Sequence, residues 1–136
     1  MNVYLDIVAN DKFDIYFIPT IMNIAKDYAV EEILEALDVI LNVHPILGTC
    51  ISDENEIPYL VKGTKPSIEF KSYVDDDYLL DFLIKPFDLY DSLSRFLVVG
   101  NDDGYSLYAV FHHLIFDAVS VGVFKKIYKQ FLMEAV

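Results

Sequence analysis

The nine residues YSLYAVFHH, Tyr105 to His113, constrain the fold more than any other stretch of the chain. Side chains alternate along an extended chain, so Leu107, Ala109, Phe111 and His113 share one face while Tyr108, Val110 and His112 share the other. Both faces are largely apolar, which is the pattern of an interior strand with a packed layer on each side. A chain containing such a strand must build a sheet around it and cover that sheet twice. The same alternation turns the two adjacent histidines apart.

A chain of 136 residues, 54% of them hydrophobic, can do this within one domain, burying roughly two thirds of its unfolded surface. Its apolar runs are far shorter than the ~20 residues that cross a bilayer, so they belong to a core and no membrane partner is expected. Ten Lys and Arg against 22 Asp and Glu give a net charge of -12, which argues against nucleic acid as a partner. The one cysteine, Cys50, has no internal partner, and no secretory signal stands at the N-terminus. The chain reads as a reduced, cytoplasmic protein. Its only arginine is Arg95, so a site that needs a bidentate guanidinium has one candidate.

The remaining sequence alternates strands with helices and shows no repeat or domain boundary. FDIYFIPTIM (Phe13 to Met22) is β-branched and aromatic, and Pro19 within it marks an edge or a bulge. Val30, Ile33, Leu34, Leu37, Ile40 and Leu41 have helical spacing, with Asp27 as the expected N-cap and Pro45 as the stop. Short strands are expected at ILGTCIS, IPYLV and SIEFKSY. DDDYLLDFLIK reads as a second helix, its aspartates suited to the N-terminus and Pro86 ending it. LSRFLVV and YSLYAVFHH form a hairpin across GNDDG. A last helix starts near Val119, with Val119, Val123, Phe124, Ile127 and Phe131 inward and Lys125, Lys126 and Lys129 outward. The expected fold class is α+β, a mixed sheet flanked by two or three helices.

Histidines on opposite faces of a strand do not readily chelate one metal, and Cys50 is distant in sequence, so no metal site is expected. Asp117 falls where the last helix needs an N-cap. A histidine ending a strand and an aspartate opening a helix also read as structural polar residues, and the residues alone leave both readings open.

The segment HHLIFDA, with His112, His113 and Asp117, resembles the HHxxxDG motif of the condensation domains of nonribosomal peptide synthetases. Three further segments match that family in its order. YFIP (Tyr16 to Pro19) resembles YNIP, LEALDVILNVHPILGT (Leu34 to Thr49) resembles ALxxLVxRHPxLRT, and IKPFDLYDSLSRFLVV (Ile84 to Val99) resembles PFDLxxGPLxR. The resemblance runs from Phe13 to the end of the chain. It implies a fold like chloramphenicol acetyltransferase, two lobes in a V with the histidine motif at their interface. This chain resembles the N-terminal lobe alone, about a third of a whole domain. An early family segment is expected before Met1, and the C-terminal lobe is the expected missing partner.

The resemblance assigns His113 the catalytic place, as base or positioning acceptor for the amine of a carrier-bound aminoacyl thioester. That amine attacks a donor acyl or peptidyl thioester to form an amide. No cofactor is bound directly, because both substrates ride on phosphopantetheine arms of carrier proteins. An imidazole suits the step, since it takes a proton near neutral pH. His112 would hold the motif's backbone, and Asp117 would cap the last helix and approach Arg95. Pairing Val99 with Tyr105 would place Arg95 opposite Ala109, on the face of His113.

The departures from the family pattern are specific. Ala118 stands in place of the motif glycine, Val43 and Gly48 in place of the two arginines around HPxL, and Asp91 and Ser92 in place of Gly-Pro. They mark a divergent member. Two function classes follow: a lobe of an amide-forming acyltransferase, with wax ester and alcohol acyltransferases as relatives, or an inactive half-domain that folds and associates. An isolated lobe is expected to be catalytically silent and to form a homodimer through its uncovered apolar surface.

Overall fold

The structure is a computed structural model and describes residues 17–52, 59–63, 66–88, 90–113, 115 and 118–134. Its elements are β1 (Phe17–Ala25), α1 (Val30–Val43), β2 (Thr49–Ser52), β3 (Tyr59–Lys62), β4 (Ile68–Lys71), α2 (Asp76–Ile84), β5 (Ser94–Asn101), β6 (Gly104–His112) and α3 (Ala118–Glu134). Four strands form a mixed sheet in the order β1-β6-β5-β4, antiparallel except for the parallel pair β4 and β5. β2 and β3 form a separate antiparallel pair. β6 therefore lies inside the sheet, as its two apolar faces require. Among the described residues β1 is at the edge of the sheet, where the missing N-H of Pro19 is tolerated. It runs three residues beyond the expected Met22, while Phe13 to Tyr16 lie outside the described residues.

One sheet face, carrying Met22, Ile24, Phe96, Val98, Leu107, Ala109 and Phe111, packs under α1 and α3 as the main core. Phe111 meets Phe96 and Phe124 edge-on at centroid distances of 5.7 and 5.2 Å, a geometry that aligns ring edges with ring faces. Tyr128 is wholly buried there, and its hydroxyl donates to the carbonyl of Ile33 at 2.8 Å, joining the two helices. The opposite face carries Val110, which clusters with Ile51, Phe87 and Leu93 and with the half-buried Phe82 and Leu83 of α2.

Local chemistry explains most element ends. Asp75 caps α2 by accepting the N-H of Tyr78 at 2.8 Å, and Asp76 and Asp77 occupy its positively charged first turn. α1 departs from expectation. Its N-cap is Ala29, not Asp27, because a turn closed by Tyr28 N-H to Ala25 O at 3.4 Å delays the helix to Val30. Glu32 Oε1 accepts the free N-H of Ala29 at 3.2 Å in place of a capping side chain. The helix ends at Val43, and Pro45 opens a short 3-10 turn.

In α3 the buried stripe is Phe124, Tyr128 and Leu132, one residue every four. Val123 was expected inward and is 51% exposed, because it sits about 100° round the helix from that stripe. Ile127 is half-buried, and the side chains of Val119 and Phe131 lie outside those described. Lys126 and Lys129 face solvent as expected, with Lys125 partly covered.

The histidine end of the sheet as a candidate active site

β6 ends at His112, which pairs with Phe17 of β1. The backbone N-H of His112 donates to Leu93 O at 2.9 Å, and its carbonyl accepts the N-H of Ile115 at 3.1 Å. That second bond closes a turn with His113 at its first corner. His113 therefore leaves the strand before alternation could place it on the face of Phe111, and its side chain is exposed. His112 is fully buried, on the face of Val110. The ring of Phe87 stands edge-on to it with centroids 5.8 Å apart. Burial, followed by the neighbouring His113, lowers the His112 pKa from 6.5 to about 4. The inner imidazole is neutral at physiological pH, while the outer one is exposed at the surface.

Arg95 is not where the expected register puts it. β5 and β6 pair Val99 with Ser106, one residue from the expected Tyr105, so Arg95 lies opposite Val110 on the His112 face. A one-residue slip moves a side chain to the other side of the sheet. There the Arg95 guanidinium lies over Phe87, 4.3 Å from the ring centroid. Its Nε donates to the carbonyl of Phe82 at 2.9 Å and an Nη to that of Lys85. Burial lowers the Arg95 pKa to about 10, partly offset by the Asp81 carboxylate, so the group stays charged at neutral pH.

Ala118 is the first residue of α3. Asp117 lies outside the described residues, and so do its expected capping bond and its approach to Arg95. The positions of the two expected arginines are occupied by an exposed Val43 and by Gly48. Gly48 closes the 3-10 turn and its carbonyl accepts Gly63 N-H at 2.8 Å. Among the described residues no cluster of His, Cys, Asp and Glu can hold a metal. No helix among them is long and apolar enough to cross a membrane.

Sequence reasoning missed Phe87 and Ser94. Phe87 bridges Arg95 and His112, and its signal was its place in the PFDL segment directly after Pro86, which gave no role to its side chain. Ser94 is buried and donates to Leu47 O at 2.8 Å, tying β5 to the 3-10 turn across 47 residues of sequence. No local pattern foretells a contact at that separation.

Comparison with known proteins places this arrangement. No curated protein sequence matches the chain. Among solved structures, the starter condensation domain of rhizomide synthetase superposes with a TM-score of 0.78 at 13% identity, over 95% of this chain and 34% of that one. The epimerization domain from the third module of tyrocidine synthetase B gives 0.72 at 17% identity, over 99% and 34%. A structure of condensation domain-mediated chain release from the enacyloxin polyketide synthase gives 0.66 at 22% identity, over 86% and 25%. These likenesses establish the chloramphenicol acetyltransferase-like fold, and this chain spans between a quarter and a third of the length of those structures. The condensation-domain pattern itself matches residues 8–134. With nearly the whole sequence so matched, the chain belongs to the condensation-domain family.

Proposed function

We propose that the chain is the histidine-bearing N-terminal lobe of a condensation domain and that His113 serves amide formation between two carrier-bound substrates. The observation that carries this reading is the division of the doublet. His112 is buried and neutral within the sheet, while His113 stands exposed on a turn hydrogen-bonded to His112 itself. A second lobe closing over His113 would supply the other wall of a tunnel. Phosphopantetheine arms of carrier proteins would enter from either side, with no cofactor bound by the chain. The amine of the acceptor, held beside His113, would attack the donor thioester carbon. As the C-N bond forms, the imidazole takes the ammonium proton or orients the amine, and the thiolate leaves on its arm. Such a system works beside carrier proteins in the cytoplasm.

A second reading, an inactive half-domain, draws support from Ala118, Val43 and Gly48, which replace a glycine and two arginines of the family pattern. One experiment separates the two. In the full-length protein containing this lobe, His113→Ala should lower amide yield from loaded carriers by about 10²-fold or more. His113→Ala with unchanged yield would remove His113 from the chemistry. Wild-type protein without any amide product would favour the inactive module.

A further inference from the structure

We propose that Arg95 is a positioning residue for His113, acting through Phe87 and His112; this deepens the role given to His113 above and rests on it. The contacts form a continuous path. No residue in the last turn of α2 is basic, so apart from the C-cap Lys85 the helix brings no cation to its own C-terminal carbonyls. Arg95 reaches over from β5 and supplies one, donating from Nε to Phe82 O and from an Nη to Lys85 O. The same guanidinium covers the faces of Phe87 at 4.3 Å and Phe82 at 5.6 Å. Phe87 is thereby held between Arg95 on its face and His112 near its edge, 5.8 Å between ring centroids. His112 is fixed by Phe87 at its ring and by Leu93 O at its N-H, and its carbonyl anchors the turn that begins at His113.

Only an arginine meets these demands together. A guanidinium is planar, so it can stack on a ring while two edge N-H groups reach separate carbonyls. A lysine ammonium keeps the charge and offers neither the plane nor the fork. Arg95 is the chain's sole arginine, and its cost of burial is visible in its lowered pKa. Anchoring α2 alone would make Arg95 structural. The edge contact from Phe87 to His112 is what extends its influence to the histidine turn.

The test pairs a spectroscopic readout with kinetics. In this chain, labelled with 15N-histidine, Arg95→Met and Phe87→Leu should move the ring resonances of both His112 and His113. Ring-proton signals of Phe124 and Tyr128, on the opposite sheet face and read from the unfiltered proton spectrum, should hold still and report an intact core. In the full-length protein, Arg95→Met should lower kcat for amide formation about tenfold, with KM for each loaded carrier within about twofold of wild type. Arg95→Lys should recover only part of that loss. Unmoved His113 resonances in the folded variants would overturn the proposal, and so would full recovery of kcat by Arg95→Lys. If Arg95→Met does not fold, Arg95→Lys and Phe87→Leu carry the same readouts. Activity retained by His113→Ala would instead defeat the functional reading, and the resonance shifts would still decide whether Arg95 governs the histidine turn.

Discussion

At the scale of single residues, the histidine doublet divides its labour by burial. Burial, followed by the neighbouring His113, lowers the His112 pKa to about 4 in the fold, against 6.5 for the free imidazole. Between those values the unfolded chain binds more protons than the folded one. His112 thus costs no stability above pH 6.5, and stability falls as pH drops through the window toward 4, by roughly 2–3 kcal/mol. The prediction is that His112→Leu removes this slope. Urea unfolding of both proteins between pH 7 and pH 4 checks it: the stability difference should shift in the variant's favour as pH falls. Parallel curves would mean that His112 titrates normally in the fold. Alternation along the strand was enough to separate the two rings. It could not show that β6 stops at His112, where the Ile115 N-H closes a turn onto the His112 carbonyl at 3.1 Å.

At the scale of elements, the β5-β6 hairpin decides which face Arg95 occupies. The turn has two residues, Asp102 and Asp103, closed by the pair Asn101 and Gly104. Asn101 Oδ1 accepts the N-H of Asp103 at 2.8 Å, and its Nδ2 donates to Ser106 Oγ at 2.9 Å. This asparagine bridge selects the shorter loop over the longer one that GNDDG also allows. Gly104 has φ +141° and lies against the backbone of Ile24 and Ala25, so an added Cβ would meet both strain and collision. Gly104→Ala should therefore destabilise the protein by roughly 2 kcal/mol or more, read as a lower Tm. A variant as stable as wild type would show that the hairpin can close another way. The glycine and asparagine were plain in the sequence, but the loop length was not, because both registers satisfy the same local turn chemistry.

At the scale of the whole molecule, apolar surface is left uncovered. None of α2 is buried, and its Leu80 and Ile84 are 56% and 50% exposed, one turn apart, while Tyr73 before the helix is 75% exposed. Ile21 adds an exposed apolar side chain on the edge strand. Such surface on one lobe favours association, opposed by a net charge of -12 that is screened beyond ~8 Å at physiological salt. We predict a dimer at high concentration, populated more strongly as salt is raised. Light scattering over a series of protein and salt concentrations checks this. A monomer throughout would indicate that the exposed side chains are too scattered to form an interface.

Alternation and helical spacing by themselves determined the α+β class, the interior place of β6 and the presence of the helices, but not the N-cap of α1. These depend on forces between near neighbours: side-chain alternation, capping carboxylates, and a proline that cannot donate. The motif order from YFIP to HHLIFDA also carried the family, since each segment is short and linear. Only the tertiary structure decided that Arg95 faces His112, that Phe87 joins them, and that Val123 lies outside the core. Each of those outcomes turns on register or on helix rotation. A shift of one residue there costs nothing in local propensity and changes which side chains meet.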